Sequence, residues 1–251
     1  MSSAWAYLDH PGPIPFAHRG GASEHPENTM PAFEHAVRLG YRYLETDVHA
    51  TADGVLVAFH DGVLDRVTDR SGIIARLPWD VVRKARIRGA SIPLMEELVT
   101  AWPDVRVNID LKHEAAVAPL VQVIERTNTH DRVCVASFSG RRLDRFRRLM
   151  GAKVCTAIGP LEIARLRGAG FGLRSGVFAG ACAQVPVRRW PVPIVDRRFV
   201  EFTHRIGLPI HVWTVNDPRE MDRLLDLGVD GIMTDLPSTL KEVLIRRGQW
   251  A

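Results

Sequence analysis

Cysteine is scarce in this 251-residue chain: Cys134, Cys155 and Cys182 are the only three, odd in number and far apart. No Cys-x-x-Cys pair occurs, so a zinc or disulfide framework is unsupported. Cys134 and Cys155 lie in apolar runs and read as small buried hydrophobes. Lysine is nearly as rare, with only Lys84, Lys112, Lys153 and Lys241, so 29 of the 33 basic residues are arginine. No stretch approaches the roughly 18 apolar residues of a membrane span. Met1 to Gly12 hold no apolar core flanked by positive charge, which argues against a secretory leader and for a cytoplasmic protein. No Gly-x-Gly-x-x-Gly or Walker sequence follows the first apolar run, so the dinucleotide and P-loop readings lose their main support.

What is present suits one large domain spanning 1–251. The chain is 46% hydrophobic, enough for a sizeable core, with a formal charge of +4 and a pI near 9.2. That mild basicity favours anionic substrates and is not a nucleic-acid footprint. The densest run, Arg141-Arg142…Arg145…Arg147-Arg148, has helical spacing and reads as a solvated helix face. Apolar strand-like runs alternate with amphipathic helical ones. Strands are expected at Ile14–His18, Tyr43–Val48, Val105–Leu111, Val133–Phe138, Val154–Ile158, somewhere between Gly176 and Val185, at Pro209–Val215 and at Gly231–Met233. Asn28 or Thr29 caps the first helix, and Ser238 or Thr239 opens the last. Eight such units with right-handed crossovers close into an α/β fold of the (β/α)₈ TIM-barrel type. The rhythm breaks once, after the second strand. There Asp53-Gly54 turns the chain back through Val55–Phe59, and an irregular polar stretch, Gly62–Ala90, completes an insertion at about 55–92.

Chemistry-bearing residues concentrate between His18 and Asp61. Glu45 and Asp47 are two apart on a strand, so they share a face about 7 Å apart. Like-charged carboxylates held side by side call for a proton or a cation between them, and a hard divalent ion with oxygen ligands fits. An exposed face of ordinary solvated acids is the plain alternative. The surroundings favour chemistry: Pro15-Phe16-Ala17 runs into His18-Arg19, and Val55–Phe59 runs into His60-Asp61. Structure alone does not require polar groups at both strand ends.

At this point a family resemblance stands out. His18-Arg19-Gly20, Pro26-Glu27-Asn28-Thr29, Ala32-Phe33, Glu45-Thr46-Asp47-Val48, Thr51-x-Asp53-Gly54 and His60-Asp61 resemble, in order and spacing, the signature of the glycerophosphodiester phosphodiesterase family. Asn108-Ile109-Asp110-Leu111-Lys112, Trp213-Thr214-Val215-Asn216 and Asp230-Gly231-Ile232-Met233-Thr234-Asp235-x-Pro237 resemble its later motifs. The similarity spans residues 14 to 245. It implies hydrolysis of a small-molecule glycerophosphodiester to an alcohol and sn-glycerol 3-phosphate, with Mg²⁺ or Ca²⁺ as cofactor. His18 and His60 are the expected general acid and base, in an order the sequence leaves open. Glu45, Asp47 and Asp110 are the expected metal ligands. Arg19 and Lys112 are expected to bind phosphate, and Trp213 to form the glycerol wall. Asp110 departs from the family's usual Glu. Its side chain is shorter by one C–C bond, about 1.5 Å, so the metal shifts, a water bridges, or Asp110 acts only through a neighbouring ligand. His60 is then a possible substitute.

Each residue also has an ordinary reading. Arg19 could pair with Glu45, Asn28 could be a helix cap alone, Lys112 could be a rim lysine, and Trp213 could be core. His211 is expected to be a packed histidine. His25, His35, His49, His113, His130 and His204 are expected to do nothing specific. Arg188-Arg189-Trp190 reads as a surface loop rather than a lipid headgroup contact. Two other functions compete. Lysophospholipase D action on lysolipids would need an apolar groove at the barrel mouth, which Gly62–Ala90 does not offer. A decayed binding barrel is disfavoured by the presence of both histidines, both strand-two acids and Lys112. No nucleic acid partner or stable membrane insertion is expected, and the oligomeric state is left open.

Overall fold

The computed structural model describes residues 5–172, 176–189 and 191–251. Part of the expected leader-free amino terminus (1–4) and Trp190 of the Arg188-Arg189-Trp190 stretch therefore lie outside the described residues.

The first apolar run forms β1 (Ile14–Ala17), buried along its whole length. After a glycine-rich turn, Thr29 caps α1 (Met30–Arg38) by accepting a hydrogen bond from the Ala32 amide, and Pro31 sits in its first turn, where its missing N–H costs nothing. Next comes β2 (Tyr43–Ala50), two residues longer than the sequence suggested and buried throughout. The chain returns through the antiparallel β3 (Leu56–Ala58). The insertion follows, with α2 (Trp79–Val82) and a two-stranded ribbon of β4 (Arg86–Ile87) and β5 (Ala90–Ser91). It is less irregular than its polarity implied, because Val57, Phe59, Leu64, Ile74, Val82, Ala85, Ile87 and Ile92 bury one another in a small core of their own.

The alternation then runs as expected through α3 (Met95–Ala101), β6 (Arg106–Leu111), α4 (Val117–Thr127), β7 (Val133–Ala136), α5 (Gly140–Met150), β8 (Cys155–Thr156) and α6 (Pro160–Ala169). The least legible segment resolves into β9 (Ala183–Pro186) and a small exposed pair, β10 (Arg188–Arg189) with β11 (Val192–Pro193). The chain finishes with α7 (Arg197–Arg205), β12 (Ile210–Trp213), α8 (Pro218–Leu227), β13 (Gly231–Thr234) and α9 (Pro237–Arg246). Contrary to expectation, neither Ser238 nor Thr239 caps α9. Pro237 occupies its first turn, and Glu24 from the loop after β1 caps it by accepting from the Ser238 amide at 2.8 Å.

Eight parallel strands run in the order β8-β7-β6-β2-β1-β13-β12-β9. A parallel bridge between Ala157 and Cys182 joins the two ends, with Ile158 N–H donating to the Cys182 carbonyl at 2.9 Å and Ala181 N–H to that of Thr156 at 2.7 Å. The sheet is therefore a closed barrel without a free edge. Outward side chains of β1, β2, β6 and β7 pack under α1, α3, α4 and α5, and those of β9, β12 and β13 under α6 to α9. Each fully buried Val, Leu, Ile or Phe there contributes about 1.5–3 kcal/mol. The arginine run on α5 is only partly a solvated face: Arg147 donates to the Ala157 carbonyl at 2.8 Å, and Arg142 donates to that of Leu111. The three cysteines, remote in sequence, all point into the barrel and meet there, fully buried. No helix among the described residues is long and apolar enough to cross a membrane.

Candidate active site

Parallel strands deliver their last inward-facing residues to one mouth, the carboxyl-terminal end of the barrel. His18 and Arg19 follow β1 in a single tight turn, with Arg19 at φ 52°, Gly20 at φ 81° and Gly21 at φ 100°. Gly20 is needed there twice over. Its φ is left-handed, and a Cβ would stand 2.8 Å from Ala32 Cβ and 2.9 Å from the Phe33 amide nitrogen. On β2, Glu45 and Asp47 alternate inward, in register with Asn108 and Asp110 on β6. Lys112 lies just past the end of β6 and His60 two residues past β3. All eight expected site residues, His18, Arg19, Glu45, Asp47, His60, Asp110, Lys112 and Trp213, line one cavity of about 930 Å³.

Both histidines are held the same way. His18 Nδ1 lies 2.6 Å from Asp235 Oδ1 and His60 Nδ1 lies 2.6 Å from Asp61 Oδ1. An ionised carboxylate only accepts, so each Nδ1 carries the proton and Nε2 is left for chemistry. His18 Nε2 stands 3.7 Å from Glu45 Oε2. Burial disfavours the His18 imidazolium, but the Glu45 charge and the Asp235 hydrogen bond outweigh it and raise its pKa. Asp235 is itself fixed: Asn216 donates to its Oδ2 at 2.9 Å, while Asn216 Oδ1 accepts from the Asp235 amide and the Thr234 hydroxyl.

The acids feel opposing forces. Burial and the neighbouring Asp47 charge push the Glu45 carboxyl well up from the usual range. Asp47 is also buried, yet Lys112 and Arg19 hold it below that range. The Lys112 ammonium bridges Asp47 Oδ1 at 2.8 Å and Asp110 Oδ2 at 2.6 Å, and it is raised in turn, despite its burial, by those two carboxylates. Asp110 Oδ1 is buried without a hydrogen-bond partner, and burial raises the Asp110 carboxyl. In this arrangement the positive charge between Asp47 and Asp110 is the lysine's.

The ordinary alternative for Arg19, a side-chain pair with Glu45, does not form. Its backbone amide donates to Glu45 Oε2 at 3.0 Å, while its guanidinium reaches Glu27 at 3.1 Å and Asp47 at 3.2 Å. Asn28 is not the helix cap. Buried at φ 53°, it donates to Asp47 Oδ2 at 3.1 Å and accepts from the Thr46 hydroxyl. His49 was expected to do nothing specific, but it sits buried on β2 with Nε2 3.0 Å from the His60 carbonyl, pinning the backbone that carries His60. His211 is packed as expected, against Phe16.

Several contributors were not singled out from sequence. Asp61 adjoins His60 and was visible as a neighbour, whereas Asp235 lies 217 residues from His18. Arg66 ties the insertion to the β1 turn by pairing with Asp61 at 2.5 Å and with both oxygens of Glu27. Phe138, exposed at the mouth, meets Trp213 edge-on at 5.4 Å and lies 5.3 Å from Lys112 Nζ. Together with Ile158, Pro160, Ile163, Pro186 and Ile194 these rings give one side of the cavity an apolar wall, with Arg167, Arg188 and Arg189 beside it.

A parallel barrel with carboxylate-held imidazoles, paired acids and fixed cations around one cavity belongs among the barrel hydrolases of anionic esters. Comparison with known proteins narrows the class. The model of the glycerophosphoryl diester phosphodiesterase family matches residues 18–239. A probable glycerophosphodiester phosphodiesterase 2 of Mycobacterium tuberculosis is 45% identical over 251 residues, covering 97% of this chain and 95% of that one. A crystal structure of a putative glycerophosphoryl diester phosphodiesterase from Silicibacter pomeroyi superposes with a TM-score of 0.83 at 24% identity, covering 98% and 99% of the two chains. An Oleispira antarctica phosphodiesterase, solved with the product sn-glycerol-3-phosphate, superposes at 0.79 and 21% identity, covering 93% and 97%. The chain belongs to the glycerophosphoryl diester phosphodiesterase family, and its enzymatic class is phosphoric diester hydrolase.

Proposed function

We propose that the protein hydrolyses glycerophosphodiesters to an alcohol and sn-glycerol 3-phosphate, using His18 and His60 as the acid–base pair and a divalent cation held by Glu45, Asp47 and Asp110. The observation that carries this reading is the matched pair of dyads, His18–Asp235 and His60–Asp61, opening on one cavity with the acids and Lys112. One imidazole takes the proton from the attacking oxygen, either a water's or a glycerol hydroxyl's, the latter giving a cyclic phosphate that water then opens to glycerol 3-phosphate. As the P–O bond to the alcohol breaks, the other gives a proton to the leaving oxygen. Lys112 and Arg19 neutralise the phosphoryl oxygens. Trp213 and Phe138 offer the glycerol carbons an apolar wall.

The donor set suits a hard cation. Three carboxylates face one mouth, Asp110 Oδ1 has no partner, and Glu45 is raised by burial and by Asp47, a strain that a bound cation would relieve once Lys112 turns from Asp47 and Asp110 towards the phosphate. Mg²⁺ or Ca²⁺ there would supply Lewis-acid neutralisation of the phosphate charge. The test is purified protein with a panel of glycerophosphodiesters, with and without chelator and with Mg²⁺ or Ca²⁺ restored. Release of glycerol 3-phosphate that chelation abolishes and metal restores is expected. Full turnover in stripped enzyme rules out the ion, and no turnover on any diester rules out the substrate class.

The apolar wall also favours a second reading, lysolipids as longer substrates. It comes from α6 and the segment around β9 to β11, not from the insertion where such a groove was sought. Choline release from lysophosphatidylcholine at a rate comparable to that from glycerophosphocholine would support it, and a hundredfold preference for the short diester would exclude it.

A further inference from the structure

The barrel interior below the active site holds a second group of ligand-type side chains. Cys134 on β7 and Cys155 on β8 are register partners and both point inward. Cys182 precedes β9 by one residue, and Gln184, two further on, shares its inward face. The three sulfurs lie within 4.8 Å of one another, with Cys134 and Cys182 Sγ 3.9 Å apart. A tetrahedron with Zn–S bonds of about 2.3 Å has edges of about 3.8 Å. His211 on β12 is in register with Gln184 and so faces inward as well, with its nitrogens outside the 4.8 Å group that the three sulfurs form. Both His211 nitrogens are buried with no hydrogen-bond partner, and so is the Tyr7 hydroxyl, whose side chain belongs to the same buried cluster as the three cysteines.

A purely structural layer would not look like this. Barrel interiors are filled mainly by branched aliphatic side chains. A fully buried imidazole with two unmet nitrogens and a buried phenol with an unmet hydroxyl each cost about 1–3 kcal/mol. The local backbone makes room for that ring: a Cβ on Gly231 would stand 3.0 Å from His211 Cδ2 and 2.9 Å from Phe16 Cε2.

We infer that Cys134, Cys155 and Cys182 form a structural site for a thiophilic metal ion, Zn²⁺, inside the barrel and separate from the oxygen-lined mouth, with the unpartnered His211 ring turning in as the fourth ligand on binding. Binding is ligand exchange without redox change. Three thiol protons leave to solvent as three Zn–S bonds and one Zn–N bond form, giving a closed four-coordinate centre of net charge −1. The Tyr7 hydroxyl then donates to a ligating sulfur, offsetting that charge as outer hydrogen bonds do around metal sites. Chains of carboxylate and carbonyl ligands select hard cations, whereas this set selects soft ones, so the two sites do not compete for the same ion.

Zinc K-edge absorption on the reduced, zinc-loaded, EDTA-washed full chain decides the matter, and Co²⁺ reconstitution supplies a second readout. The expected result is one chelator-resistant zinc per chain with a predominantly sulfur shell near 2.3 Å. Co²⁺ should give a thiolate charge-transfer band that Cys182→Ser loses. A zinc shell of oxygen and nitrogen only, or a wild-type chain that retains no zinc, overturns the inference, as does a disulfide among the three cysteines in the isolated protein. The absorption edge is read on wild type, so the test stands even where Cys182→Ser fails to fold. Sulfur scattering cannot arise from the acidic mouth, so the result does not depend on the catalytic metal.

Discussion

Asp235→Asn is the sharpest probe of the proposed acid–base pair, because the surrounding network forbids a silent accommodation. Asn216 Oδ1 is committed to two donors, the Asp235 amide and the Thr234 hydroxyl, so its Nδ2 must face residue 235. An asparagine there has two orientations. In one, its Oδ1 still accepts from His18 Nδ1 but its amino group confronts that of Asn216. In the other, the amino group faces His18 and forces the proton onto Nε2, the nitrogen needed for chemistry. A charge-assisted hydrogen bond is worth roughly 1.5–3 kcal/mol. At about 1.4 kcal/mol per decade that corresponds to roughly a 10- to 150-fold fall in kcat, with KM little changed. The sign of the pH effect follows from the raised pKa of His18, to which Asp235 contributes. A raised histidine stabilises the fold below its ordinary pKa and loses that contribution as pH rises through the folded value. The variant should therefore be destabilised more at pH 5.5 than at pH 9, and the His18 limb of its kcat profile should move to lower pH. Steady-state kinetics across pH and paired thermal melts make the measurement. Turnover within threefold of wild type at every pH would refute the assignment of His18 and the role of its carboxylate.

Other perturbations test other parts of the site. His60→Ala should lower turnover at least 100-fold while leaving the circular dichroism melt near wild type, and wild-type-like kinetics would remove His60 from the chemistry. Lys112→Ala leaves two buried carboxylates facing each other. Losing one partner of a buried ion pair costs about 3–5 kcal/mol, or roughly 6–20 °C in Tm for a chain of this size, and added Mg²⁺ should recover part of it if the ion takes up the same charge; an unchanged Tm would contradict the pairing. Gly20→Ala imposes a left-handed φ on alanine and a backbone clash at 2.9 Å, with about 1–3 kcal/mol of strain. Because it displaces the turn carrying His18 and Arg19, kcat should fall well over tenfold, and unchanged kinetics would show that the turn tolerates a Cβ.

The barrel staves were legible because each is an apolar run ending in turn residues, and Glu45 and Asp47 were legible because a two-residue spacing fixes a common face, whereas Asp110 came from the family resemblance. What escaped the sequence was contact across the barrel. Asp235 reaches His18 only because β13 closes on β1. The cysteines looked like unrelated fillers because β7, β8 and the entry to β9 are neighbours only once the barrel exists. Asn28 resembled a cap because Asn and Thr are equally good in that role, and only the burial of Asp47 beside it shows which one was needed elsewhere. The short β8 and the late β9 were blurred by the Gly, Pro and Arg residues between them, which punctuate the chain without marking where the next stave begins.

The cavity has two unlike sides. The imidazoles, the acids, Arg19 and Lys112 stand on or just beyond β1, β2, β3 and β6, whereas the apolar side chains, with Arg167, Arg188 and Arg189 among them, rise from the segments after β7 to β9 and from α6. On the proposed mechanism, one half of the mouth would perform the cleavage while the other would feel out the departing group. Mutations at Ile158, Ile163 or Ile194 can thus retune which alcohol is accepted without disturbing proton transfer, an arrangement that lets substrate choice evolve while the reaction stays the same.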